Sequence, residues 1–134
     1  MKNEEKRQNR IMAMQLLYSM DMNGTSKEEV LSNANKELLN DEVKELVEYV
    51  DKNIIEIDSL ISKSLTNYTI NRLNAVDRSI IRVSVAELML GRIDKSIIID
   101  EALEITKLFS DEGNHKAVAF NNRLLQSIVD NLQK

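Results

Sequence analysis

Apolar residues recur every three or four positions along most of this chain, and short polar segments interrupt the pattern. From Ile11 to Tyr18 this spacing predicts a first helix over about 3–22. A second helix is predicted over 27–39 and a third, with the longest apolar stripe, over 43–65. No segment of more than four residues alternates apolar and polar as a half-buried strand would.

The second half of the chain continues the helical pattern. A short helix is predicted near 71–74, followed by a helix over 78–90 that is apolar on nearly every side and has Asp77 as its N-cap. Helices over 96–109 and 114–132 complete the chain. The predicted fold is an all-α bundle of six or seven helices, arranged as two packed three-helix subbundles in a single domain over 1–134.

Composition supports this fold class and a soluble protein. The 134 residues include no proline and only three glycines, and 43% are hydrophobic, which favours packed helices. Without cysteine there are no disulfides and no thiolate metal sites, as suits a reducing compartment. No apolar run reaches the roughly 20 residues that span a bilayer, and the N-terminus lacks the apolar core of a signal peptide. We therefore expect a cytoplasmic protein that does not bind membranes.

Residues suited to catalysis are scarce. The sequence contains no glycine-rich phosphate loop and no nucleophile elbow, and its one histidine is His115. The Glu-x-x-His motifs of di-metal bundles are also missing. We expect neither enzymatic activity nor a metal or other cofactor. A histidine at a helix start is more often a surface or capping residue than a functional one.

Charge is distributed unevenly. The net charge is −4, which argues against a general nucleic-acid binder, and the acidic excess lies in 40–58. The first ten residues, by contrast, contain four basic side chains, and Lys6 and Arg10 share one helix face at i and i+4. Two interpretations remain open: a phosphate-binding face, or a solvated helix end whose charge Glu4 and Glu5 partly cancel. The basic residues are Lys2, Lys6, Arg7 and Arg10.

Three short motifs occur in an order and spacing that resemble the NusB family of small all-helical transcription antitermination factors. An arginine leads into an Ala-x-Gln-x-Leu-Tyr run, an Asp-Arg pair with a later arginine opens a helix, and an Ile-Asn-Glu-Ala-like run opens the next. Here they read Arg10-Ile-Met-Ala13-Met-Gln15-Leu-Leu17-Tyr18, then Asp77-Arg78 with Arg82, then Ile99-Asp100-Glu101-Ala102 with Lys107 and Phe109.

The resemblance implies an RNA-binding role. Family members bind the single-stranded boxA element of leader RNA together with ribosomal protein S10 (NusE). The complex joins RNA polymerase and suppresses termination, notably on ribosomal RNA operons. By position, the RNA-facing candidates begin with the four basic residues of the first helix. The others, expected nearby, are Asn114, His115 and Lys116, with Phe120 and Asn122 further along.

The resemblance also implies a surface for S10, formed by Tyr18 and Asp77. The alternative interpretations are a tyrosine at the edge of the core and a helix cap. Phe120 is likewise either a stacking platform for a base or a core residue. Arg78 and Arg82, inside an apolar helix, need carboxylate partners, for which the candidates are Glu87, Asp100 and Glu101.

Departures from the family pattern point to weak RNA binding without S10. About three extra residues follow Lys116, Arg123 replaces a glycine, and Asp100 replaces an asparagine. Gln8 and Asn9 stand where arginine and alanine are common. The alternative function is a NusB-like interaction module that binds S10 but not RNA. A NusB-like domain fused to an RNA methyltransferase would need a further large domain, and a homodimer is possible because some relatives dimerise.

Overall fold

The protein is described by a computed structural model that covers residues 3–133, and every regular element in that range is helical. Seven α-helices and one 3₁₀ turn make up this part of the chain, which confirms the all-α prediction. The elements are α1 (Asn3–Asn23), α2 (Lys27–Asn33), α3 (Asp41–Lys52), α4 (Ile54–Ser64), the 3₁₀ turn (Ile70–Arg72), α5 (Ala75–Leu90), α6 (Lys95–Phe109) and α7 (Lys116–Leu132). Within 3–133 no helix is both long enough and apolar enough to cross a membrane.

Helix α5 lies at the centre of the bundle. It packs against α1, α3, α4, α6 and α7, and α4 also packs against α7. Ile81, Val85 and Ala86 are fully buried, as the nearly continuous apolar pattern of this segment predicts. Helices α1 and α5 run antiparallel, because Arg10 pairs with Glu87 at one end and Asp21 pairs with the start of α5 at the other.

The predicted third helix is wrong in one respect, because it is two helices. Asn53 separates α3 from α4, and its side-chain amide donates to the carbonyl of Tyr49 at 2.9 Å. An asparagine side chain that bonds to the preceding turn competes with the helical backbone pattern and redirects the chain. Apolar spacing continues across this break, so the hydrophobic pattern alone does not reveal it.

Asparagines also shift other helix ends. Helix α2 ends at Asn33 rather than at residue 39, since Asn35 accepts a bond from the backbone of Glu37 and forms a turn. The N-cap of α5 is Asn74, whose Oδ1 accepts from the Val76 N–H at 2.8 Å, so the prediction that Asp77 is the cap is wrong. Asp77 instead occupies the first turn of α5, where its negative charge favours the helix dipole.

A buried ion pair fixes α1 against α5. Arg10 donates to both carboxylate oxygens of Glu87, at 2.6 and 3.1 Å, and the two side chains are only 6% and 7% exposed. Arg10 also lies 3.6 Å from Glu101 of α6. A desolvated charge depends on its partner, so this pair ties three helices to one relative position.

We predict that Arg10→Met destabilises the protein by about 3 kcal/mol, because it leaves the Glu87 carboxylate buried without its cation. The double variant Arg10→Met/Glu87→Leu should recover most of that loss, since it removes both charges. Urea unfolding followed by circular dichroism measures the free energies. The matched control is Arg92→Ala, which breaks an exposed pair with Glu45 and should cost less than about 1 kcal/mol. A double variant as unstable as Arg10→Met would contradict this account.

Candidate functional site

The basic residues of α1 are used largely within the protein. Arg7 binds Glu101 through two hydrogen bonds, Nε to Oε1 at 3.0 Å and Nη2 to Oε2 at 2.8 Å. The Arg7 side chain is 36% exposed, so the guanidinium is held by α6 but still reaches solvent. The hydrogen bond from Arg7 keeps the pKa of Glu101 below its ordinary value, and Arg10 adds to the effect; the same bond raises the pKa of Arg7.

Lys6 and Arg10 do not form the accessible basic face that their spacing predicts. Arg10 is buried in its pair with Glu87 and is inaccessible to a phosphate. Lys6 is half-buried and lines an open cavity of about 310 Å³ whose wall includes Glu42 and Glu87. Glu87 is already neutralised by Arg10, and the wall also includes Arg92, so Lys6 lies at a cavity wall of mixed charge. Lys2, the remaining candidate on this helix, lies outside the described residues.

A second group of candidates surrounds an open cavity between α4 and α7. The rings of Tyr68 and Phe120 lie 5.7 Å apart at 58°, and the Arg72 guanidinium lies 5.8 Å from the Tyr68 ring centroid. The cavity measures about 270 Å³ and is also lined by Arg123, which is exposed. Phe120 is half-buried against the core and keeps part of its ring at this cavity. Aromatic rings flanked by arginines can stack a planar base and neutralise a phosphate.

The loop before α7 is held by its own side chains. Asp111 Oδ1 accepts from the backbone N–H groups of Gly113 and His115, and Asn114 Oδ1 accepts from that of Lys116. His115 adopts a left-handed conformation with φ of 60°. The side chains of His115 and Lys116 are exposed, so the loop presents them to solvent at the start of α7.

The two groups of RNA candidates contact the same helix, α6. Arg7 binds Glu101, and Asn121, which lies between Phe120 and Asn122, donates to Thr106. Glu101 and Thr106 are five residues apart, which is a rise of about 7.5 Å along the helix. That the two groups form one surface stays a prediction.

The two partner-binding candidates are both at the end of the bundle where α5 begins. Tyr18 is 36% exposed and lies one turn before Asp21, which binds Arg78 at 2.7 Å. Asp77 is the residue before Arg78 and is half-buried. Met22, 55% exposed, extends the same face of α1. Tyrosine and methionine are enriched in protein contact surfaces, so this end of α1 has the composition of one.

The predicted partners of the two arginines in α5 are wrong. Arg78 binds Asp21, and Arg82 binds Asp58 through two bonds at 2.9 and 2.8 Å. Glu87 and Glu101, which we expected in this role, pair with arginines of α1 instead. Glu87 lies on the same helix as Arg82 and faces α1. Glu101 of α6 also faces α1, so neither carboxylate is near the arginines at the start of α5.

Sequence reasoning missed four residues of the site, and two of them, Arg72 and Arg123, are the cations beside the cavity. Tyr68 follows a helix end with no pattern around it, and only its ring contact with Phe120 shows that it belongs to the cavity. Asn121 is fully buried and donates to Asp77 Oδ1 and Thr106 Oγ1, each at 3.1 Å. The signal available in the sequence was an asparagine at a position of α7 where the helical spacing predicts an apolar side chain. No cluster of acidic or histidine side chains suited to a metal ion occurs between residues 3 and 133.

We predict that Glu101→Gln flattens the dependence of stability on pH in the acid range. The lowered pKa of Glu101 means that its charged form stabilises the folded state at neutral pH, and that this contribution is lost as the pH falls through the lowered pKa. Melting temperatures between pH 7 and pH 3 measure the effect. The control is Glu104→Gln on the exposed face of α6, which should keep the parent slope. Identical slopes for Glu101→Gln and the parent would contradict the assignment.

Comparison with known proteins agrees with this geometry. Residues 7–130 match the model of the NusB family. The transcription antitermination protein NusB of Listeria innocua is 35% identical over 126 residues, which covers 93% of this chain and 96% of the relative. The protein of the same name from Clostridium botulinum is 39% identical over 125 residues, covering 87% of this chain and 92% of the relative.

Solved structures show the same arrangement of helices. T. maritima NusB superposes with a TM-score of 0.82 at 29% identity, covering 97% of this chain and 93% of that one. A crystal structure of antitermination factors NusB and NusE in complex with dsRNA gives a TM-score of 0.81 at 29% identity, with 97% and 99% covered. The match of family, length and fold is complete enough to conclude that this chain belongs to the NusB family.

Proposed function

We propose that this protein is a transcription antitermination factor that binds single-stranded boxA-type RNA together with ribosomal protein S10 (NusE). It then acts within the RNA polymerase complex, notably on ribosomal RNA operons, and has no catalytic role. The observation that carries the proposal is the aromatic and cationic cavity between α4 and α7, near the partner-binding candidate Asp77. Relatives of the same fold crystallise as NusB and NusE with dsRNA, which supports both partners.

The proposed RNA surface has two parts. The first is the cavity of Tyr68 and Phe120, where a base can stack and where Arg72 and Arg123 can contact the adjoining phosphates. The exposed residues Asn114, His115 and Lys116 at the start of α7 are further proposed contacts, and so is the half-buried Asn122 within α7.

The second part of the RNA surface is the start of α1, with Arg7 and Lys6. Both parts are tied to α6, through the bonds from Arg7 to Glu101 and from Asn121 to Thr106, so one short RNA can contact both parts. Arg10 is left out of the surface because it is buried.

The proposed S10 surface is the end of the bundle where Tyr18 and Asp77 lie. The Tyr18 ring is exposed beside Met22, and a tyrosine offers a large contact area with few rotatable bonds. Asp77 supplies negative charge that suits a basic ribosomal protein. This surface adjoins the cavity between α4 and α7, because Asn121, the residue after Phe120, bonds to Asp77. S10 bound there lies next to the RNA, which explains why S10 should strengthen RNA binding.

The alternative function, an interaction module that binds S10 but not RNA, is favoured by one observation. Arg7 and Arg10 are committed to Glu101 and Glu87, and the net charge of the chain is −4. The charge left for phosphates is therefore modest. The two functions differ in whether exposed basic residues outside these pairs affect RNA affinity.

We predict that Lys116→Glu/Arg123→Glu lowers the affinity for a labelled boxA-like RNA at least tenfold in the presence of S10. Both side chains are exposed at the proposed RNA surface. Loss of two phosphate contacts should also reduce the slope of log affinity against log salt by about 1.4. Fluorescence anisotropy at several salt concentrations, with and without S10, measures both quantities.

The matched control for this experiment is Lys44→Glu/Lys52→Glu, which changes the net charge equally on the exposed face of α3. It should keep the RNA affinity within about threefold and the salt slope unchanged. Equal losses in the two double variants would show a general charge effect and no defined surface. S10 binding without any RNA affinity in the parent protein would establish the alternative function.

We predict that Tyr18→Ala weakens S10 binding about tenfold while the melting temperature stays close to that of the parent. Tyr18 is 36% exposed and lies outside the hydrophobic core, so its removal costs more contact area in the complex than in the folded chain. Isothermal titration with purified S10 measures the affinity. Ile55→Ala, at an apolar side chain of α4 that is 83% exposed, serves as control and should bind like the parent. Unchanged affinity of Tyr18→Ala would remove this residue from the proposed surface.

A further inference from the structure

The side-chain amide of Asn121 connects three helices inside the protein. Asn121 is fully buried in α7, and its Nδ2 donates to Asp77 Oδ1 of α5 and to Thr106 Oγ1 of α6, both at 3.1 Å. Thr106 is also fully buried and donates its hydroxyl to the Ala102 carbonyl at 2.8 Å. Both hydrogens of the Asn121 amide therefore have acceptors, and each acceptor is fixed to a different helix.

Packing alone does not account for this amide. The Oδ1 atom of Asn121 is buried and has no hydrogen-bond partner among residues 3–133. An acceptor without a partner carries a desolvation penalty that an apolar side chain of similar size avoids. The other fully or nearly fully buried side chains of α7 are apolar, namely Leu124, Leu125 and Ile128. The amide is thus the exception in an otherwise apolar face of α7. It donates a hydrogen bond to the Asp77 carboxylate.

The orientation of the Asp77 carboxylate decides which of its oxygens a partner can reach. It lies in the first turn of α5 and is half-buried, with one carboxylate oxygen bonded to Asn121. An aspartate at a helix start can populate several side-chain rotamers, and each directs the carboxylate differently. A bond to a fully buried amide selects one of them. The second oxygen, Oδ2, makes no hydrogen bond to any residue from 3 to 133, so it is left for a donor from outside the chain.

We propose that Asn121 is a positioning residue for the S10 surface. Its side-chain amide holds Asp77 in the rotamer that presents Oδ2 to a cationic or N–H donor group of S10. This inference rests on the proposed function, since it takes Asp77 as part of the S10 surface. Asn121 itself does not touch the partner, because it is fully buried. It acts through Asp77, and its effect on binding depends on that carboxylate.

A double-mutant cycle on S10 affinity tests the proposal, with Asp77→Ala, Asn121→Val and the double variant measured by isothermal titration. Each single variant should weaken S10 binding about tenfold, and the double variant should be no weaker than Asp77→Ala alone. Asn121→Leu, which branches at Cγ as asparagine does, repeats the test with a side chain of matching shape. Asn131→Val is the matched control, because Asn131 is a half-buried amide of α7 that bonds to Ser64 away from Asp77. It should bind S10 like the parent.

A second measurement does not depend on S10. Three-bond NMR couplings of Asp77 in the free protein should report one rotamer in the parent and rotamer averaging in Asn121→Val. Unchanged couplings would overturn the proposal, as would an Asn121→Val loss of affinity that is equally large in the Asp77→Ala background. If Asp77→Ala binds S10 as the parent does, the proposed S10 surface fails, while the couplings still decide whether Asn121 positions Asp77.

Discussion

The structure depends on the neutralisation of charged side chains carried by the central helix. Helix α5 is surrounded by five other helices, yet it contains Arg78, Arg82 and Glu87. Each of these charges has a partner from another helix, and a buried charge without one would cost several kcal/mol. Because Arg10 and Asp21 of α1 serve opposite ends of α5, the two helices can satisfy both pairs only in the antiparallel register observed.

This constraint decides which basic residues remain for function. Arg10 is buried in the ion pair with Glu87 that sets the register of α1 against α5. Arg7 is partly neutralised by Glu101. On α7, accessible positive charge is carried by Lys116 and Arg123. A protein with a net charge of −4 can therefore present a local cationic surface, because its acidic residues neutralise arginines elsewhere in the bundle.

Polar side chains inside the bundle also connect surfaces that are distant in sequence. Asp77 and Asn121 are 44 residues apart, and their bond joins the proposed S10 surface to the helix that carries the proposed RNA cavity. The ring contact between Tyr68, in the segment after α4, and Phe120 of α7 spans a similar separation. Both surfaces thus belong to one end of the bundle, which is consistent with a protein that acts as an adaptor between an RNA and a second protein.

The sequence by itself determined the fold class and most helix positions, because helical periodicity is a local property of neighbouring residues. It also carried the family motifs, which matched relatives along most of the chain. It did not determine the break at Asn53 or the end of α2, where an asparagine side chain competes with the backbone while the apolar spacing continues. Only the tertiary structure decided the charge pairs, which join residues as far as 94 positions apart. An arginine has the same local pattern whether it faces solvent or a buried carboxylate, and the packing of the helices makes that choice.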